Sequence, residues 1–166
     1  MPLDPHVAVY TGSFDPVTLG HLHVIERAAS LYDRLVIGIG VNVEKKPLFT
    51  PEEREALLRR VTERLPNVEI RPFSGLAVDF VRRLGAKVMI RGVRPLTDIA
   101  GEFTMMMANR QLDPDVETVF LMADEEYAHV SSSLIKQIAP LADDDKLLRF
   151  VPPEIVPALR GKMKRE

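Results

Sequence analysis

The chain has 166 residues, enough for one compact domain with a buried core. It contains no cysteine, which excludes disulfide-stapled miniproteins, thiol nucleophiles and thiolate metal sites, and favours a cytoplasmic protein. Its 22 basic and 24 acidic residues give a net charge of -2, which disfavours a nucleic-acid-binding protein. No stretch approaches the roughly 18 apolar residues of a membrane span, so we expect no membrane association.

Five short apolar runs have the composition of buried β-strands. They span residues 7–11, 35–41, 68–73, 87–91 and 117–122. The second run is apolar at consecutive positions, which is typical of a parallel strand covered on both faces. The pattern therefore predicts a five-stranded sheet.

Helical patterns follow these runs in alternation. The first helix carries Leu22 and Ile25, and the second begins at Thr50, with Pro51 and Glu53 in its first turn. Further helices are predicted over 76–84, over about 97–112 and from residue 131 onward. The proline-containing tail from about 143 to 166 is predicted to form short helical pieces.

Alternating strands and helices with short connections predict right-handed crossovers and a parallel sheet. The expected fold class is α/β, a single-domain, Rossmann-like, doubly wound sheet of five parallel strands with helices on both faces, over residues 1–166. In such sheets ligands bind beyond the carboxyl ends of the strands. We therefore expect the chemistry in the loops that follow each strand.

The loop after the first strand, residues 11–21, has the features of a phosphate site. Gly12 permits a tight turn, and the following helix offers free N–H groups to an anion. His21, on the first turn of that helix, could donate a hydrogen bond to phosphate oxygens. The alternative is that Ser13 and its polar neighbours Asp15 and Thr18 only cap turns, and that His21 is a surface residue. We interpret His6 and His23 as structural.

Cationic side chains follow two other strands. Lys45 and Lys46 come after the second strand, where one could reach a phosphate or both could be merely solvated. Arg91 ends the fourth apolar run, and Arg94 follows it; an arginine at the end of a buried strand favours a binding role over packing. Glu102, in the next helix, could be a surface charge or could accept a hydrogen bond from a ribose.

The last loop leads into three consecutive serines. Ser131, Ser132 and Ser133 could form an anion seat together with the helix N–H groups. The Met-rich stretch 105–107 is interpreted as core or subunit contact. The chain contains no GxxxxGK[ST], GxGxxG or GxSxG pattern, so a P-loop hydrolase, an ordinary dinucleotide dehydrogenase and an α/β-hydrolase do not fit.

The motifs, taken in order, resemble those of the nucleotidyltransferases. The stretch 12–21, GSFDPVTLGH, is similar to their (H/T)xGH signature, and VSSS at 130–133 is similar to ISS(S/T). KKPLFT at 45–50, IRGVR at 90–94 and FLM at 120–122 are similar to segments of bacterial phosphopantetheine adenylyltransferases. This resemblance covers about residues 7–157 and identifies the chain as a member of that family, with a single nucleotidyltransferase domain.

The resemblance implies an activity and its participants. The adenylyl group of ATP would pass to 4'-phosphopantetheine, giving dephospho-coenzyme A and pyrophosphate in the penultimate step of coenzyme A biosynthesis. It also implies magnesium as a cofactor with ATP, feedback inhibition by coenzyme A, a homohexamer and a cytoplasmic enzyme. No nucleic acid or membrane partner is implied.

The resemblance also implies roles for individual residues. The catalytic residues would be His21, Lys45 and Arg91. The residues that bind phosphopantetheine would be Ser13, Lys45, Leu76, Ala77 and Arg91. The residues that bind ATP would be Ser13, Phe14, His21, Gly92, Val93, Arg94, Glu102, Tyr127, Ala128, His129, Val130, Ser131, Ser132 and Ser133. Ser13, Ala77, Gly101 and Tyr127 depart from residues common in the family. No protein ligand to the metal is implied.

Two other functions remain open from the residues. The first is a related transferase, such as a nicotinamide mononucleotide adenylyltransferase or a glycerol-phosphate cytidylyltransferase. The second is a nucleotide sensor without catalytic activity, which would bind ATP and form no product with any acceptor. The pairing of His21 with Arg91 favours catalysis, because both suit charge on a phosphorus centre in the transition state.

Overall fold

A computed structural model describes residues 1–42, 44–94 and 98–164. The strands are β1 (Asp4–Gly12), β2 (Arg34–Gly40), β3 (Val68–Phe73), β4 (Ala86–Val93) and β5 (Glu117–Met122). The helices are α1 (Leu19–Leu31), α2 (Pro51–Val61), α3 (Ala77–Arg83), α4 (Ile99–Leu112), α5 (Ser132–Ile138), α6 (Asp144–Leu147) and α7 (Ile155–Met163), with a short 3-10 helix at Glu125–Tyr127.

The five strands form one sheet in the order β3-β2-β1-β4-β5, and every neighbouring pair is parallel. This arrangement confirms the predicted fold class. The chain builds outward from β1 to β3, then returns to the other side of β1 with β4. The connections leaving β1 and β4 therefore diverge, and the carboxyl ends of these strands form the crevice where such folds bind ligands.

The sheet has a buried core on each face. Alternate residues of β1 point to opposite cores, with Ala8 and Tyr10 in the larger one and Val9 in the smaller one. The larger core includes side chains from α1, α2, α5 and α7, and the smaller one includes side chains from α3. Helices thus cover both faces, as the consecutive apolar residues of the strands predict.

Local capping fixes the starts of the two helices nearest the crevice. The Thr18 hydroxyl accepts a hydrogen bond from the His21 amide at the start of α1. At the start of α2 the Thr50 hydroxyl accepts from the Glu53 amide while the Glu53 carboxylate accepts from Thr50, as the sequence predicts.

The boundaries differ from the predicted ones at β4 and α4. β4 continues two residues past Arg91, to Val93, because it pairs with β5 through Val93 and Met122. α4 begins at Ile99. The predicted start of that helix at residue 97 lies outside the described residues, as do Pro95 and the last two residues of the C-terminal segment. No helix within the described ranges is long and apolar enough to span a membrane.

Candidate active site

Two clefts open at the carboxyl edge of the sheet. The His21 cleft, about 210 Å³, is lined by Tyr10, Thr18, Gly20, His21, Val24, Gly92, Val93, Arg94, Asp98, Ala123, Tyr127, Val130, Ser131 and Ser132. The Lys45 cleft, about 430 Å³, is lined by Thr11, Gly12, Ser13, Gly40, Val41, Asn42, Lys45, Phe73, Gly75, Leu76, Ala77, Met89, Arg91, Met105, Ala108, Asn109 and Leu112.

The two clefts share the strands β1 and β4. Tyr10 and Gly92 line the His21 cleft, whereas their chain neighbours Thr11 and Arg91 line the Lys45 cleft. Successive residues of a strand point to opposite faces, which places Tyr10 and Thr11, and likewise Gly92 and Arg91, in different clefts. The point between β1 and β4 is therefore where ligands in the two clefts would meet.

The ring of His21 is fixed by the backbone at the start of α1. The Thr18 amide donates a hydrogen bond to His21 Nδ1 at 3.1 Å. The Phe14 ring packs edge-on against the imidazole with centroids 5.0 Å apart. Because Nδ1 accepts from an amide, the neutral ring carries its hydrogen on Nε2. His21 therefore presents a hydrogen-bond donor to a ligand.

The surroundings of His21 disfavour its charged form. Burial lowers the pKa of His21 to about 4, and the positive charges of Arg94 and Arg91 act in the same direction. The imidazole is consequently neutral at physiological pH. Arg94 lines the same cleft as His21, whereas Arg91 lines the Lys45 cleft.

Arg91 is anchored on two sides. Its Nε and Nη2 donate to the Glu102 carboxylate at 2.9 and 2.8 Å, and its Nη1 donates to the Thr11 carbonyl at 2.6 Å. The hydrogen bonds to Glu102 raise the pKa of Arg91 despite burial. The guanidinium is thus a fixed positive charge at the crevice. Glu102, which could have bound a ribose, orients Arg91 and lies outside both clefts.

Arg94 has a similar arrangement with Asp98. Its Nε and Nη2 both donate to the Asp98 carboxylate at 2.9 Å. These hydrogen bonds raise the pKa of Arg94. The pair lines the His21 cleft, so Asp98 both orients the cation and offsets part of its charge.

The loop after β1 is held tightly around Ser13 and Phe14. Phe14 has a positive φ of 49°, is 1% exposed and lines neither cleft, although the family resemblance implies that it binds ATP. Gly12 allows this packing, because a Cβ there would lie 3.1 Å from the Phe14 ring. Buried Arg54 supports the loop from below by donating to the carbonyls of Ser13 at 2.7 Å and Gly40 at 3.2 Å.

The residues implied for the second substrate line the Lys45 cleft together. Ser13, Lys45 and Arg91 are its polar members nearest the crevice, and Leu76 and Ala77 extend it as an apolar wall. Lys45 is exposed and can move as a point charge.

The segment 127–133 is only partly in the His21 cleft. Tyr127, Val130, Ser131 and Ser132 line it. Ala128, His129 and Ser133 line neither cleft. The Ser131 hydroxyl accepts from the Leu134 amide and so caps α5. The Ser132 hydroxyl donates to the Pro16 carbonyl, so both serines have structural contacts in addition to any contact with a ligand.

The sequence analysis missed several residues of the clefts. Tyr10 lines the His21 cleft, and burial raises the pKa of its hydroxyl above the ordinary value. Asn109 lines the Lys45 cleft and is 9% exposed. Two sequence signals could have indicated missed residues. One is the amide of Asn109 in a largely apolar helix, and the other is the spacing of four residues between Arg94 and Asp98.

Comparison with known proteins identifies the family. Residues 9–138 match the model of the cytidylyltransferase-like family. The chain is 68% identical over 162 residues to the phosphopantetheine adenylyltransferase of Rhodopirellula baltica, covering 97% of this chain and 90% of that protein. The chain belongs to the phosphopantetheine adenylyltransferase family. The phosphopantetheine adenylyltransferase of Clostridium tetani is 50% identical, over 91% of this chain and 93% of that protein.

Solved structures of more distant proteins share the fold of this family. A bifunctional nicotinamide mononucleotide adenylyltransferase/ADP-ribose pyrophosphatase from Francisella tularensis is similar with a TM-score of 0.67 at 16% identity, over 95% of this chain and 49% of that one. The Plasmodium falciparum nicotinic acid mononucleotide adenylyltransferase gives 0.60 at 12% identity, over 95% and 96% of the two chains. The predicted enzyme class, a nucleotidyltransferase, and the predicted family are confirmed.

The donor groups do not fit a metal ion held by the protein itself. Within residues 1–42, 44–94 and 98–164, no three His, Asp or Glu side chains are grouped to hold one. The carboxylates of Asp98 and Glu102, near the clefts, are each bound by an arginine.

Proposed function

We propose that this protein transfers the adenylyl group of ATP to 4'-phosphopantetheine, forming dephospho-coenzyme A and pyrophosphate. The observation that carries the proposal is the pair of clefts lined by neighbouring residues of β1 and β4, with neutral His21 in one cleft and charged Arg91 in the other. Two substrates that react by direct transfer need two adjoining sites with positive groups between them.

The His21 cleft suits ATP. Arg94 supplies a positive charge for its phosphates, and Gly20, at the start of α1, lines the same cleft. Tyr127 offers an aromatic ring at the wall, which suits a planar base.

The Lys45 cleft suits phosphopantetheine. Lys45 and Arg91 can bind its phosphate near the crevice. The cleft then continues along apolar side chains, including Leu76, Met105 and Leu112, which suit an uncharged, extended arm.

The geometry supports an in-line displacement. A phosphate oxygen of phosphopantetheine forms a new bond to the α-phosphorus of ATP, and the bond from that phosphorus to the pyrophosphate oxygen breaks. The nucleophile is already anionic, so no general base is required. The Nε2 hydrogen of His21 and the guanidiniums of Arg91 and Arg94 would stabilise the charge on the five-coordinate phosphorus.

Magnesium, in this proposal, enters as the counter-ion of ATP, held by the phosphates and water. The proposal extends to the cytoplasm as the location, to coenzyme A as a feedback inhibitor and to a homohexamer. The exposed apolar side chains of α4, Phe103, Met105 and Met107, support a subunit contact, because monomeric proteins seldom expose several such residues together. The inhibitor proposal is supported by chemistry, since coenzyme A contains the same pantetheine arm as the substrate.

The direct test is product formation with a panel of acceptors. The protein is incubated with ATP and Mg²⁺ together with phosphopantetheine, nicotinamide mononucleotide or glycerol 3-phosphate, the last also with CTP. We expect pyrophosphate and dephospho-coenzyme A with phosphopantetheine alone. Turnover with another acceptor instead would assign a related transferase, and ATP binding without product under any acceptor would indicate a sensor.

A further inference from the structure

Asp15 is a buried carboxylate with an unusual set of partners. Its residue is 4% exposed. Its Oδ1 accepts a hydrogen bond from the Phe49 amide at 2.8 Å, and its Oδ2 accepts from the Leu48 amide and from Lys136 Nζ, each at 2.8 Å. The sequence left open whether Asp15 caps a turn of its own loop; the partners show that it binds two distant segments instead.

These two segments belong to different clefts. Leu48 and Phe49 end the loop that carries Lys45, which lines the Lys45 cleft. Lys136 lies in α5, whose N-cap Ser131 and first residue Ser132 line the His21 cleft. Asp15 itself follows the loop residues Ser13 and Phe14. One carboxylate therefore connects three parts of the site.

A second contact strengthens the connection on the α5 side. The Ser132 hydroxyl donates to the Pro16 carbonyl at 2.8 Å, one residue after Asp15. The start of α5 is thus attached to the β1 loop both through Lys136 and through Ser132. On the other side, the Leu48 and Phe49 amides bind the Asp15 carboxylate directly, and the Phe49 side chain is buried in the larger core.

The chemistry of the site requires a carboxylate rather than an amide. Both oxygens of Asp15 accept hydrogen bonds from N–H donors, and asparagine would present its own N–H₂ group to one of those donors. Lys136 compensates the negative charge, so the group can be buried without an unpaired ion.

We propose that Asp15 is a positioning residue that fixes the Lys45 loop and the start of α5 relative to Ser13, and so sets the spacing between the two substrate phosphates. Asp15 touches neither cleft and acts through its partners. The inference rests on the proposed two-substrate transfer. Misplacing reacting groups by about 1 Å can cost about 100-fold in rate, which is the effect expected here.

The test compares Asp15→Asn with a control of matched burial. Asp113 has a side chain that is 8% exposed and is bound by Arg82 at the opposite edge of the sheet, after α4. Both variants should lose thermal stability. Only Asp15→Asn should lower kcat by about 10- to 100-fold and raise the KM for phosphopantetheine, whereas Asp113→Asn should keep the kinetic constants of the wild type.

Substitutions of Lys136 test the α5 side of the connection separately from the Lys45-loop side. Its side chain is 40% exposed, but Lys136→Met removes the counter-charge of the buried Asp15 carboxylate and should therefore also lower thermal stability. Lys136→Met leaves the amides of Leu48 and Phe49 on Asp15, and it should raise the KM for ATP by several-fold while leaving the KM for phosphopantetheine unchanged. Lys136→Arg should restore the KM for ATP.

Hydrogen exchange followed by mass spectrometry gives a readout that does not depend on turnover. In Asp15→Asn, exchange should increase in the segments around residues 44–49 and 131–136, while β3 and α3 keep their protection. The positioning role would be overturned if exchange in Asp15→Asn increased equally in all elements. It would also be overturned if Asp113→Asn lost as much activity as Asp15→Asn. If Asp15→Asn shows these local changes in exchange but the wild-type protein forms no product, the proposed function alone is refuted.

Discussion

The backbone amide of Thr18 donates a hydrogen bond to Nδ1 of His21 at 3.1 Å, while the Thr18 hydroxyl accepts from the His21 amide at 3.2 Å. This reciprocal pair closes the first turn of α1 and fixes the imidazole at the same time. A helix-capping motif thus determines which ring nitrogen carries the hydrogen. The donor that faces the ligand follows from local sequence.

Replacing His21 should affect turnover far more than binding. In His21→Ala the Nε2 donor is lost, and kcat should fall by about 100- to 1000-fold, the effect of losing one transition-state donor. The KM for ATP should change by only a few-fold. Steady-state kinetics with both substrates give both constants, and exposed His6→Ala is the matched control. A rise in KM at unchanged kcat would contradict the role.

The low pKa of His21 predicts a specific dependence of stability on pH. Its pKa is about 4 in the folded protein, below the ordinary value of 6.5. The unfolded chain therefore binds the proton more readily, so the contribution of His21 to stability is complete above about pH 6.5 and is lost as the pH falls toward 4. Urea unfolding gives the free energy of unfolding at pH 7 and at pH 4.5. The decrease in this free energy between the two pH values should be smaller in His21→Asn than in the wild type. NMR titration of the imidazole with a midpoint near pH 6.5 would contradict the prediction.

The two adjacent lysines should behave differently. Lys45 lines the cleft with Ser13 and Arg91, whereas Lys46 lines neither cleft. Lys45→Met should raise the KM for phosphopantetheine about 10-fold or more, which corresponds to a hydrogen bond with a charged group. Lys46→Met should leave that KM unchanged. Equal effects of the two substitutions would mean that general positive charge, rather than a phosphate contact, is important.

Glu102 should act through Arg91. Glu102→Gln weakens the pair of hydrogen bonds that orients the guanidinium, and kcat/KM for phosphopantetheine should fall by about 10- to 100-fold. Glu69 makes a similar pair with Arg34, at 2.6 and 3.0 Å, outside both clefts. Glu69→Gln should reduce thermal stability without changing kinetics. A rise in the KM for ATP alone would instead support the ATP-binding role that the family resemblance implies for Glu102.

The sequence predicted the fold well because its signals are local. The strands are short apolar runs, and the start of α2 carries a complete capping box. The extension of β4 past Arg91 was not predictable from composition, because it depends on pairing with β5. The polar residue Arg91 after a run of apolar residues indicated the end of the strand, whereas pairing with the neighbouring strand β5 continues β4.

The candidate site was predictable where residues directly follow strands. His21, Lys45 and Arg91 line the two clefts, as expected for residues near the carboxyl edge of a parallel sheet, and their roles stay predictions. Asp15 and Arg54 were not assigned such roles, because their partners are distant in sequence. One feature of the sequence could have indicated that Arg54 is buried. It lies on the apolar stripe of α2 with Leu57 and Leu58, where an arginine exposed on the surface is not expected.

The most direct test of the account is the stereochemical course at the transferred phosphorus. The protein is supplied with phosphopantetheine, Mg²⁺ and ATP made chiral at the α-phosphorus with one sulfur atom, and the configuration of the thio-substituted dephospho-coenzyme A is determined. Direct in-line transfer between the two clefts predicts inversion. Retention would require two displacements through a covalent enzyme intermediate, and would contradict the meeting of both substrates between β1 and β4.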